Sequence, residues 1–123
     1  GHPVDHPETV ASAIRIGRPA TWEPALEAAA RSGGAIRSVT DGEILEAYRA
    51  VSRLEGVFCE PASAAGIAGL RNAVREGALQ PSGVVVCVLT GNGLKDPDRA
   101  LDGVGELLAV DALERLLEER PTG

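Results

Sequence analysis

The sequence predicts an α/β fold containing an incomplete three-layer parallel sheet, and three observations lead there. Residues 84–89, Val84-Val85-Val86-Cys87-Val88-Leu89, form a continuous apolar, mostly β-branched run of the kind that fills a strand covered on both faces. Helical and strand patterns follow in the order helix, strand, two helices, strand, helix, which implies a parallel pair joined by a right-handed crossover. Only two segments read as strands, whereas a strand buried on both faces needs hydrogen-bonding neighbours on both edges. The chain is therefore expected either to self-associate or to be a piece of a larger sheet protein.

The elements follow in chain order. Residues 1–20 carry Pro3, Pro7, Gly17 and Pro19 around a short apolar stretch, too punctuated to anchor a core alone, and residues 1–6 are expected as a disordered or cloning-derived start. Thr21 offers an N-cap oxygen, Pro24 falls in a first turn where its missing N–H costs nothing, and Gly33-Gly34 stops the run, so a helix is predicted over 22–32. Residues 35–39 alternate apolar and polar as a short strand. Thr40-Asp41-Gly42-Glu43 has the spacing of a capping box, so a helix begins there. In it Ile44, Leu45, Tyr48, Val51 and Leu54 recur at steps of three and four as one apolar stripe, and Gly56 closes it. After Glu60-Pro61 a helix over 62–75 is built largely from Ala and Gly. Gly66 and Gly69 each cost about 1 kcal/mol against Ala, so compensating packing on that face is expected before Gly77 ends the helix. The strand 84–89 runs into Thr90-Gly91-Asn92-Gly93-Leu94-Lys95-Asp96-Pro97, a polar, Gly-bearing loop at a strand's carboxyl end, where open α/β sheets collect ligands. A closing helix is expected over 111–119.

Composition narrows the function. The 123 residues suit one domain, and twelve Lys plus Arg against eighteen Asp plus Glu give a net charge of −6 with no basic run, so a nucleic-acid partner is not expected. No stretch approaches the roughly 18 apolar residues of a membrane span and no signal peptide opens the chain, so a cytoplasmic location is expected. Cys59 and Cys87 lie among apolar neighbours and read as buried, reduced and structural. His2 and His6 lack a third ligand, so no metal site is assigned. Lys95 is the sole lysine beside eleven arginines, so Schiff-base chemistry within this chain could use only that residue.

Three ordered blocks carry a resemblance. AIRIGRP (13–19), EGVFCEPASAAGIAGL (55–70) and VVCVLTGNGLKDP (85–97) resemble the C-terminal portion of the threonine synthase family, pyridoxal-phosphate enzymes of the tryptophan-synthase β-like fold. The resemblance covers roughly residues 7–101. It implies an incomplete piece of that fold, the cofactor pyridoxal phosphate, and a complete enzyme that converts O-phosphohomoserine and water into threonine and phosphate by γ-elimination and β-addition of water. By the same resemblance Thr90 would set its hydroxyl against the pyridine nitrogen and leave the ring largely neutral. Gly91 and Asn92 would share that loop, and Asn92 equally suits a turn-stabilising role. Glu60 would open a loop approaching the cofactor, or simply complement a helix dipole; Ala62, Ser63 and Ala64 would keep side chains out of the way, and Ala13 would lie near the ring.

Two departures bear on this. Arg18 stands where the family pattern has Asn, either near an anionic substrate or as solvated surface. The family's Schiff-base lysine and its Gly-rich phosphate loop belong to earlier segments, and Lys95 matches a different, structural lysine. The resemblance therefore implies a partner in the missing N-terminal part of the same enzyme, homo-oligomerisation, no catalytic residue in this chain and no covalently bound cofactor. Competing readings are a stand-alone α/β module that cradles a small anion on the N–H groups of residues 90–93, and an assembly element pairing through open sheet edges.

Overall fold

The computed structural model describes residues 2–80 and 82–101, so the closing helix expected over 111–119 lies outside them. The described helices are α1 (Trp22–Ser32), α2 (Asp41–Glu55), α3 (Pro61–Arg75) and the short α4 (Pro97–Leu101), with 3-10 turns at Ser12–Ile14 and Gly93–Lys95.

Helix α1 has the predicted bounds, and Gly33, at φ +68°, ends it by donating its N–H to the Ala29 and Ala30 carbonyls. Thr21 precedes it without capping it. At φ −113° and ψ 30° it lacks the extended backbone that turns an N-cap oxygen onto the first turn. Helix α2 opens on the full capping box: Thr40 Oγ1 accepts the Glu43 N–H at 3.3 Å, and Glu43 Oε2 accepts the Thr40 N–H at 2.7 Å. Its buried stripe is Ile44, Ala47 and Val51. Leu54, expected in that stripe, is 76% exposed in the last turn, while Ala47 is buried instead.

Helix α3 packs chiefly on α2. Ala64 and Ala68 join Ile44, Ala47, Val51, Cys59 and Ala11 in one core, and these short side chains let the helix axes approach. A polar clamp runs beside this seam. Glu43 Oε1 accepts from Asn72 Nδ2 at 2.8 Å and lies 3.6 Å from the Arg75 guanidinium, and Arg71 sits 3.7 Å from Glu46. At the far end of α3, Gly77 takes φ +71° and donates to the Val74 carbonyl, as its position predicts. The compensating packing expected at the helix glycines is partial. Val39 Cγ1 lies 3.9 Å from where a Gly69 Cβ would stand, but among the described residues nothing lies within 4 Å at Gly66, which lines an open groove of about 880 Å³.

The opening segment is tied down more firmly than its punctuation suggests. Asp41, the first residue of α2, accepts from Thr9 Oγ1 at 2.6 Å and from the Val10 N–H at 3.1 Å, and so draws Ala11 fully into the core. Val4 donates its N–H to the Gly17 carbonyl at 3.0 Å.

The expected parallel sheet is not formed among the described residues. Residues 35–39 and 84–89 are neither helical nor paired, and Val84 is 95% exposed. The physical reason is the shortage of edges: a strand persists only as part of a ladder, and neither segment meets a ladder partner among the described residues. The β-type pairing present is an isolated antiparallel bridge between Cys59 and Asn92.

Candidate functional site

That bridge positions the site, because it brings the start of α3 against the loop that follows residues 84–89. The Glu60 N–H donates to the Gly91 carbonyl at 3.0 Å, and the Gly93 N–H donates to the Phe58 carbonyl at 3.2 Å. Both glycines stand where a neighbouring side chain fills the place of a Cβ. A Cβ on Gly91 would overlap the Glu60 carboxylate, and one on Gly93 would overlap the Phe58 ring.

Ser63, in the first turn of α3 and 3% exposed, joins the two segments. Its Oγ accepts the Gly91 N–H at 2.8 Å and stands 3.3 Å from both the Gly91 carbonyl oxygen and Thr90 Oγ1. Thr90 is an exposed residue whose hydroxyl lies against Ser63 at a part-buried contact. Asn92 performs the turn-stabilising role, its Oδ1 accepting the Leu94 N–H at 2.9 Å at the start of the Gly93–Lys95 turn.

Glu60 occupies the N-cap position of α3 at 4% exposure, yet its side chain accepts no N–H of the helix. Its carbonyl does that work, accepting from the Ser63 N–H at 3.0 Å and the Ala64 N–H at 3.3 Å. The carboxylate instead faces Gly91. Beside it, Cys59 is buried and free, and burial pushes its thiol above the ordinary range, with the neighbouring Glu60 charge adding to the effect. A raised thiol pKa is the opposite of an activated nucleophile, in keeping with a structural role.

Ala13 is exposed within the Ser12–Ile14 turn, which is tied toward the loop by Ser12 Oγ donating to Asp96 Oδ2 at 2.9 Å. Thr90, Gly91, Asn92 and Glu60 are thus brought together, while Ala13 reaches the neighbourhood only through its adjoining residue. Arg18 is exposed and lines a separate cavity of about 370 Å³ with Trp22 and His2. Lys95 is exposed at the end of its 3-10 turn. The role of Ser63 as the bridge was missed in sequence reasoning, which assigned it only smallness. A hydroxyl in the first turn after Glu-Pro was the available signal. The anion-cradle alternative on residues 90–93 loses two donors here, since the Gly91 and Gly93 N–H groups are committed within the chain.

The family described as pyridoxal-phosphate dependent enzyme matches residues 1–91. The chain belongs to that family. Membership in the pyridoxal-phosphate dependent enzymes implies the tryptophan-synthase β-like fold and pyridoxal phosphate as the cofactor. Among curated relatives, the threonine synthase of Mycobacterium leprae is 59% identical over 115 residues, covering 92% of this chain and 32% of that protein. The threonine synthase of Halalkalibacterium halodurans is 56% identical over 101 residues, covering 82% and 28% respectively. That of Methanocaldococcus jannaschii is 46% identical over 121 residues, covering 95% and 30%. The chain therefore spans about 30% of the length of these relatives and matches their C-terminal region.

Proposed function

We propose that this chain is the C-terminal portion of a threonine synthase and forms the wall of the cofactor site that faces the pyridine nitrogen. The complete enzyme would convert O-phosphohomoserine and water into threonine and phosphate. The observation that carries this reading is the junction of α3 with the 90–93 loop, where Ser63 ties down Gly91 and meets the hydroxyl of Thr90, an exposed residue. Identity to several threonine synthases over most of the chain supports it.

The residues present fit that side of the cofactor. Thr90 offers one hydroxyl backed from within, small residues Ala62, Ser63 and Ala64 begin α3, and glycines stand where any Cβ would collide with Glu60 or Phe58. When bound, pyridoxal phosphate supplies the electron sink for chemistry on the substrate's side chain. Thr90 would hold the ring nitrogen through a neutral hydroxyl, which cannot stabilise a protonated ring as a carboxylate would, so the sink stays moderate. Such a sink favours elimination and replacement at the side chain over a long-lived carbanion at Cα. Glu60, Gly91, Asn92 and Ala13 would line or support this wall, and Lys95 would be structural.

The lysine that anchors the cofactor and the loop that binds its phosphate would come from the N-terminal part of the same enzyme. That part would also supply the strands against which residues 35–39 and 84–89 pair, completing the parallel sheet, within a cytoplasmic homo-oligomer. No described helix is long and apolar enough to cross a membrane.

The test uses the complete enzyme loaded with pyridoxal phosphate. Phosphate release from O-phosphohomoserine is expected, and Thr90→Ala and Thr90→Asp should each alter the cofactor's absorbance and the ratio of side products to threonine. A complete enzyme that releases no phosphate rejects the substrate assignment, and unchanged absorbance and product ratio in both variants reject the role given to Thr90.

A further inference from the structure

We infer that Ser63 is a positioning residue that fixes the hydroxyl of Thr90 as a hydrogen-bond donor toward the cofactor. The inference rests on the reading of Thr90 given above and adds the group that decides which way its proton points. The argument is a count of hydrogens. Ser63 Oγ has one hydrogen and two lone pairs, and one lone pair is taken by the Gly91 N–H at 2.8 Å. Two acceptors compete for the single hydrogen at 3.3 Å, the Gly91 carbonyl and Thr90 Oγ1.

The two choices have opposite consequences. With the hydrogen on the Gly91 carbonyl, the second lone pair of Ser63 takes the Thr90 proton, and Thr90 turns a lone pair outward. With the hydrogen on Thr90 Oγ1, the Thr90 proton is released to point outward. The Gly91 carbonyl already accepts the Glu60 N–H at 3.0 Å, so it needs the Ser63 hydrogen less than Thr90 does. A chain running from the Gly91 N–H through Ser63 to Thr90 also polarises each link in the same sense and strengthens Thr90 as a donor. A donor at that position favours an unprotonated ring nitrogen, so the neutral ring would be set by the pair Ser63–Thr90 and not by Thr90 alone.

Burial at 3% keeps water from replacing the Ser63 hydroxyl in this chain of bonds. The titratable groups around the pair are the Glu60 carboxylate against Gly91, the Cys59 thiol before it, and Lys95 and Asp96 on the following turn. All are left unchanged in the comparison below.

The experiment measures the pH midpoint of ring-nitrogen protonation in the complete enzyme, read by nitrogen NMR of bound cofactor labelled at the ring nitrogen, for the parent, Ser63→Ala, Ser63→Thr and Thr90→Ala. Loss of the Ser63 hydroxyl should let the ring nitrogen hold its proton to higher pH, moving the midpoint up by about half a unit to one unit. It should also lower kcat about three- to tenfold, with KM within about twofold. Ser63→Thr, which keeps the hydroxyl, should return the midpoint to the parent value. Should Ser63→Ala fail to fold, Ser63→Cys, similar in shape and a weak donor, should move the midpoint in the same direction by a smaller amount. A Ser63 variant that loads less cofactor but keeps the parent midpoint has only a structural role, and that result overturns the inference. If Thr90→Ala shifts the midpoint and neither Ser63→Ala nor Ser63→Cys does, the inference fails while the reading of Thr90 stands. If none of them shifts it, both fail.

Discussion

At Gly91 the space that a methyl group would need is already filled by the carboxylate of Glu60, a residue only 4% exposed. Gly91→Ala must therefore either push Glu60 out of its position or pull the loop off α3, breaking the Gly91 N–H bond to Ser63 and the Glu60 N–H bond to Gly91. We expect a loss of about 1–3 kcal/mol in the protein that carries this chain, read from the denaturant midpoint at constant m, together with weaker cofactor retention. Substituting Gly66 by Ala is the control. Nothing lies within 4 Å of a Cβ there among the described residues, so the usual helix preference should leave stability unchanged or raised by up to about 1 kcal/mol. A Gly66 change as damaging as Gly91→Ala would mean that contacts within this chain do not decide the cost.

The α2–α3 pair carries the pH dependence. Glu43 is held well below its ordinary value, at about 2 against 4.5, first by the Thr40 N–H it accepts, then by Asn72 and the Thr40 hydroxyl, with Arg75 adding a small share. A carboxylate depressed on folding stabilises the fold fully above its unfolded pKa, and that contribution is lost as the pH falls from about 4.5 through about 2. The denaturation midpoint should therefore drop across that acid window, and Glu43→Gln should flatten the drop while lowering stability at neutral pH. Because hydrogen bonds outweigh the Arg75 charge, added salt should leave most of the acid loss in place. An unchanged acid limb in Glu43→Gln would place the effect on other carboxylates. This half of the fold was legible in the sequence because its signals are local: the Thr40–Glu43 spacing, the stripe of α2, and Gly33, Gly56 and Gly77 at the helix ends all act within a few residues. The turn after residues 90–93 was legible for the same reason, from Asn92 and its flanking glycines. What was not legible depends on contacts across the chain. Nothing near Asp41 announces Thr9, nothing near Ser63 announces Gly91, and Phe58 against Gly93 joins residues far apart in the sequence. The segments at 35–39 and 84–89 carry strand-like patterns, but neither forms a strand among the described residues, because pattern cannot supply the neighbour that turns such a segment into a ladder.

Taken whole, the described residues turn more large apolar side chains outward than their Ala-rich core takes in. Val84, Val86 and Val88 are the most exposed along one segment, Val85 between them is 47% exposed, and Cys87 and Leu89 are partly covered. The most exposed positions recur every second residue, as along one side of a sheet strand, and this contiguous display exceeds the scattered exposure of an ordinary surface. On the proposed reading the chemistry is divided in the same way as the packing: this polypeptide would offer Thr90 to the ring nitrogen, while its sole lysine is Lys95, exposed on the following turn. A polypeptide of these 123 residues mixed with pyridoxal phosphate should therefore develop no Schiff-base absorption above that of free lysine at equal concentration, and should release no phosphate from O-phosphohomoserine. Adding the lysine-bearing N-terminal part of the same enzyme should restore both, because it brings the amine and the sheet edges together. Replacing Val86 and Val88 by Lys should prevent that restoration even with every site residue intact, since a charge facing the completed sheet would lie buried without a partner. Full activity from the isolated polypeptide, or restoration that ignores the two lysine substitutions, would mean that the site and the sheet are not completed by the same missing part.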